Sequence, residues 1–168
     1  MAHTPSITPA ISYLDPRAAL DFLQNAFGFE LDLLIEDENG NVAHSQMVYG
    51  DGKIMVGTEW SANHKSPRSI GGLCTQTVHM HLTENIDTHC ETARKAGAEI
   101  IAECETQFYG DRTYRARDPE GHIWTFSQTV EVMTPAEWDK NTGLKTWSRF
   151  FLMKRKRPRS TQSSPPSP

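Results

Sequence analysis

The chain has 168 residues, 37% of them hydrophobic and 23% charged, with a net charge of −4 and a mean hydropathy of −0.56, the makeup of one globular domain with some unpacked length. The negative balance excludes a general attraction to nucleic acid or anionic membrane. No window approaches the roughly 18 apolar residues of a membrane span, and the start, MAHTPSITPA, lacks a basic n-region and an apolar h-region, so the expectation is a cytoplasmic protein with no nucleic-acid or membrane partner.

In chain order, ITPAISYL reads as a strand, and PRAALDFLQNAFGFEL as a helix: Leu20, Leu23, Ala26 and Phe27 recur at helical spacing and Gly28 stands where the helix stops. Three strands follow, FELDLLIED, VAHSQMVY and KIMVGTE, the last two joined at a glycine-bearing turn. The same order then returns: CTQTVHMHL, a helix in NIDTHCETARKAGAEI ending at Gly97, and the strands AEIIAECE, TYRARD and HIWTFSQ. Gly97 lies 69 residues after Gly28, and the turn residue Gly121 lies 69 after Gly52. Two landmarks at one offset read as a tandem duplication.

The predicted fold is therefore α+β: two tandem βαβββ modules, about 5–62 and 73–131, whose uncovered sheet faces curl into a curved mixed sheet around a cleft. That cleft is where a ligand belongs. The domain is expected to span 1–132. Residues 133–168 form an extension, a short helix in PAEWDKNTGLKTWSRFFLM and then a disordered Pro/Ser-rich tail carrying the basic run KRKRPR. Cys74, Cys90 and Cys104, odd in number and without CxxC spacing, read as free thiols.

The segments DPRAALDFLQNAFGFEL, VAHSQMVYGDGKIMVG and YGDRTYRARDPEGHIWTF resemble the opening helix, the hairpin and the closing hairpin of the vicinal oxygen chelate superfamily, which includes glyoxalase I, extradiol dioxygenases, fosfomycin-resistance enzymes and bleomycin-resistance proteins. The resemblance covers about residues 5–131. It implies two metal-ligand positions per module, one seven residues before the Asp that opens the helix and one four residues after the hairpin Gly. Those positions here are Thr8, Val56, Thr77 and Thr125. None is an imidazole or carboxylate, and a catalytic Fe²⁺, Ni²⁺ or Zn²⁺ needs about three such donors. No cofactor is expected on this count.

Alternation gives other candidates. In TVHMHL, Val78, Met80 and Leu82 face the helix and send His79 and His81 to the cleft; in VAHSQMVY the same parity sends His44 and Gln46 there. Cleft-lining histidines are the plainer reading. Convergence of His44, His79 and His81 on a divalent metal is the alternative, and His44 and His79 are the candidate catalytic bases. Trp124 and Phe126 belong under the helix, leaving Ile123, Thr125 and Ser127 toward the cleft. Arg115 and Arg117 alternate with Tyr114 and Ala116, and with Arg112 and Tyr109 they suit a carboxylate or phosphate; surface salt bridges to Glu103, Glu105 or Asp111 are the competing account. Glu59 reads as a strand-end carboxylate, and His3, His64, His89 and His122 receive no chemistry.

The function expected is a glyoxalase/bleomycin-resistance-like homodimer holding a small organic molecule through His44, Gln46, His79, His81, Tyr109, Arg112, Arg115 and Thr125. The alternatives are a lyase, isomerase or dioxygenase of the same superfamily, and an interaction module acting through FFLMKRKRPR.

Overall fold

The computed structural model describes residues 5–147; the basic tail lies outside the described residues. Module one runs β1 (Ala10–Tyr13), α1 (Pro16–Phe27), β2 (Glu30–Glu36), β3 (Val42–Tyr49) and β4 (Gly52–Thr58); module two runs β5 (Thr77–His81), α2 (Ile86–Lys95), β6 (Glu99–Thr106), β7 (Asp111–Arg117) and β8 (Ile123–Thr129). A linker with a short 3-10 turn at Pro67–Ile70 joins them, and α3 (Pro135–Thr142) follows. The sheets have the same order, β1-β4-β3-β2 and β5-β8-β7-β6, with the outer pairs β1/β4 and β5/β8 parallel. The duplicated α+β architecture is the predicted one, as two four-stranded sheets.

Helix α1 begins where Asp15 caps it, accepting from the Ala18 N–H at 3.0 Å, with Pro16 in the first turn, and it stops at Gly28 in a left-handed conformation. Its apolar stripe is buried, with Leu23 and Phe27 fully inaccessible. Phe27 crosses into module two, its ring 5.3 Å from Trp124 and 4.9 Å from Phe126. One continuous core thus joins the helix-facing sides of both sheets. Each such side chain contributes about 1.5–3 kcal/mol by burial, so each module stabilises the core of the other.

The strand registers correct one reading of the repeat. Ile11 lies opposite Val56 and Met80 opposite Phe126. Ile11 to Met80 is the 69-residue step of the two helix-ending glycines, whereas Val56 to Phe126 is 70. The cause is the turn: residues 49–52 connect the Val48–Lys53 pair, while 118–122 connect Arg117 and Ile123, one residue more. Gly52 and Gly121 are therefore not equivalent. The position corresponding to Thr125 is Met55, and Val56 is buried in the core at 1% exposure, facing away from any cleft.

The hairpin DPEGH ties the modules together. Asp118 Oδ2 accepts from the Tyr13 hydroxyl at 2.7 Å and the Trp124 indole at 3.1 Å, and Oδ1 accepts from the Glu120 and His122 backbone N–H groups. Glu120 accepts from the Leu14 and Asp15 backbone and from Ser66 in the linker. Both carboxylates are buried and their hydrogen-bonding capacity is met by protein donors. Burial and the adjacent Asp118 push the Tyr13 phenol well above its ordinary pKa, which keeps it a donor.

Candidate functional site

The open face of the second sheet is a grid set by strand pairing. Across β5, β8 and β7 run the rows Thr77–Ile123–Arg117, His79–Thr125–Arg115 and His81–Ser127–Thr113, with directly opposed side chains about 4.5–5.5 Å apart at Cβ. Over this grid lies a cavity of about 710 Å³, its floor formed by Thr77, His79, Thr113, Arg115, Ile123 and Thr125 and its β6 side by Ile101, Glu103 and Glu105, with Gln107 and Tyr109 from the β6–β7 loop. A smaller cavity of about 270 Å³ lies between the modules, where Tyr49, Lys53 and Ile54 meet Val78, His79 and His81. His79 lines both.

The two imidazoles are held by one hydroxyl. Ser127 Oγ is 2.8 Å from His79 Nε2 and 3.2 Å from His81 Nδ1, and the serine is 1% exposed beneath the rings. A hydroxyl has one proton to give, so it donates to one imidazole and accepts from the other. This fixes the orientation of His79 at Nε2 and leaves Nδ1 without a partner among the described residues.

The predicted ligand residues other than Arg112 divide among three places. His79, Tyr109, Arg115 and Thr125 share the larger cavity, and His81 joins His79 in the smaller one. His44 and Gln46 lie on the first sheet and line neither: Gln46 donates to His44 Nε2 at 3.1 Å and accepts from Lys53 at 3.1 Å, while Lys53 also binds Asp32. The proposed trio His44, His79 and His81 is thus split between sheets, and among the described residues no three His, Cys, Asp or Glu side chains gather as a metal site.

Arg112 requires correction. Its parity is that of Tyr114 and Ala116, which are buried on the helix side, and its guanidinium binds Asp87 at the start of α2, with contacts at 2.6 and 2.9 Å. Hydrogen bonding between the two raises the arginine pKa and lowers that of Asp87. Arg117 likewise pairs with Glu99 and Arg94 with Glu103. Glu59 belongs to the linker, where it binds Lys65 and the Ser66 backbone; the Lys65 contact, helped by Ser69, holds its carboxyl down to about 2.

Of the cavity residues, Ile101 and Thr113 escaped the sequence reading, and Glu105 figured in it only as a salt-bridge partner of the arginines. Thr113 has the parity of Arg115 and was recoverable. The facing of Ile101 and Glu105 was not, because irregularities in the β6–β7 register on both sides of Ala102 break simple alternation.

The family's metal does not fit these residues. With Met55 in place of Val56, the four family positions supply three threonine hydroxyls and a thioether, none a ligand that holds a catalytic divalent ion tightly. The buried carboxylates among the described residues, Asp118 and Glu120, are engaged by protein donors.

The paired βαβββ modules define the chain as a duplicated two-module α+β protein with a ligand-sized cavity on its second sheet. A sequence model of the Glyoxalase/Bleomycin resistance protein/Dioxygenase superfamily matches residues 8–126, and the chain belongs to that superfamily. It is similar to the solved structure of TioX from Micromonospora sp. ML1, with a TM-score of 0.62 and 26% identity over 75% of this chain and 99% of that one. It also resembles TnmS3, an antibiotic binding protein from Streptomyces sp. CB03234, with a TM-score of 0.58 and 19% identity over 77% of this chain and 98% of that one. Among curated sequences, the uncharacterized protein Mb0911c of Mycobacterium bovis is 27% identical over 137 residues, covering 79% of this chain and 89% of the relative.

Proposed function

We propose that the protein binds a small organic molecule in the cavity over the second sheet and does so without the metal of its catalytic relatives. The observation that carries this reading is the cavity itself: about 710 Å³, within the range of small-molecule sites, with apolar surface from Ile101 and Ile123 set among the polar side chains of His79, Glu105, Tyr109, Arg115 and Thr125. TnmS3, which shares the fold, is named as an antibiotic binding protein. Leu33 and Ile35, paired across β2–β3 with Gln46 and His44, are 39% and 48% exposed; a second copy covering this open face is the accompanying proposal, giving a homodimer.

The test is an NMR screen of aromatic fragments against chelator-treated, isotope-labelled protein. Binding that shifts Ile101, Ile123 and Thr125 supports the reading; hits confined to the face of His44 and Gln46, or seen only after a transition metal is added, contradict it. A second reading, proton transfer by a metal-free histidine, is favoured by the fixed orientation of His79 on Ser127, since a general base must be positioned before its pKa matters. Turnover abolished by His79→Gln, with fragment binding retained, would establish it.

A further inference from the structure

Of the four arginines that module two places on β7 and the end of α2, three are engaged by a carboxylate: Arg94 by Glu103, Arg112 by Asp87 and Arg117 by Glu99. Arg115 forms no ion pair among the described residues. It stands in the middle of the cavity floor beside Thr125. On the β6 side, Glu103 is tied to Arg94 through both carboxylate oxygens, but Glu105 has no cationic partner among the described residues. It pairs across the strands with Thr113, whereas Arg115 pairs with Ala102. One cavity therefore contains an uncompensated positive charge and an uncompensated negative charge that do not reach each other.

Both groups are solvent-exposed, so water now solvates them. A ligand that covers them removes that water, and a charge so covered is costly unless a charge-assisted hydrogen bond replaces the hydration. An anion alone would satisfy Arg115 and repel Glu105; a cation alone would do the reverse. Ile101 and Ile123 supply apolar surface on the same walls.

We infer that the cavity selects zwitterionic ligands of the amino-acid type, with an anionic group on Arg115, a cationic group on Glu105 and an apolar body against Ile101 and Ile123. This rests on the cavity being the binding site, as proposed above.

The experiment compares four probes by NMR titration of chelator-treated protein: L-phenylalanine with both charges, 3-phenylpropanoate with the anion only, 2-phenylethylamine with the cation only, and neutral 3-phenylpropan-1-ol. The zwitterion is expected to bind about tenfold or more tighter than either singly charged probe, a difference of about 1.4 kcal/mol. Arg115→Gln should erase its advantage over the amine, and Glu105→Gln its advantage over the carboxylate, with the spectra otherwise unchanged. Equal or tighter binding of any other probe overturns the inference while leaving the cavity as a binding site. Failure of all four to shift cavity resonances overturns both the inference and the proposed function.

Discussion

The Tyr13 hydroxyl at the end of β1 donates to Asp118 in the β7–β8 turn at 2.7 Å, across 105 residues of sequence. This bond, with the Trp124 indole on the same oxygen, locks the opening strand of one module to the closing hairpin of the other. Tyr13→Phe leaves the buried carboxylate with one side-chain donor fewer and should cost about 1–2 kcal/mol. Asp118→Ala orphans two side-chain and two backbone donors and should cost more than about 3 kcal/mol. Urea denaturation followed by fluorescence measures both, and equal effects would refute the ranking.

Gly121 and Gly97 both sit at φ +100, but a Cβ on Gly121 would lie 2.9 Å from the Pro67 Cβ, whereas at Gly97 it meets nothing within 4 Å. Gly97→Ala should cost about 1 kcal/mol from backbone strain alone. Gly121→Ala should exceed it by at least about 1 kcal/mol, since the linker must move. Comparison of the two midpoints in one denaturant series checks this.

Phe27→Ala should destabilise by about 3–5 kcal/mol, because the ring fills the space between α1 and the Trp124 and Phe126 rings of module two. Loss of cooperativity should accompany the loss of stability, with the modules melting in separate transitions by calorimetry. A single sharp transition at unchanged temperature would show that the modules are held by other contacts.

His89 on α2 lies 2.6 Å from the Tyr114 hydroxyl through Nδ1 and 3.2 Å from the Phe27 carbonyl through Nε2. With Nε2–H donating to the carbonyl, neutral Nδ1 accepts from the phenol, and burial lowers the imidazole pKa despite the opposing Phe27 contact. The neutral ring therefore stabilises fully above the unfolded value of about 6.5. As pH falls below this the unfolded chain takes up the proton first, so stability drops until the folded pKa is passed. The stability difference between wild type and His89→Gln should shrink from pH 7 to pH 5; a constant difference would contradict the assignment.

These elements differ in how far the sequence revealed them. The helical stripe ending Ala26, Phe27, Gly28 and the alternation of Trp124 and Phe126 are local patterns, and both placed their residues in the core correctly. The equivalence of Gly52 and Gly121 failed because a one-residue difference in turn length is invisible until the strand registers are known. Arg112 was misplaced by grouping it with its loop neighbours when its parity with Tyr114 already turned it toward α2. The bonds of Asp118 to Tyr13 and of Glu120 to Leu14 and Asp15 span more than a hundred residues, which no local pattern encodes; DPEG announced a turn and concealed a fastening between modules.

The most direct test of the central claim is a fragment screen of chelator-treated wild type beside Thr125→Trp, which fills the floor of the cavity between His79 and Arg115. We predict saturable fragment binding to the wild type in the absence of metal and its loss in the variant, whose melting temperature should stay near that of the wild type. Fragments that bind both proteins equally, or that bind the wild type only when a divalent transition metal is restored, would contradict the account.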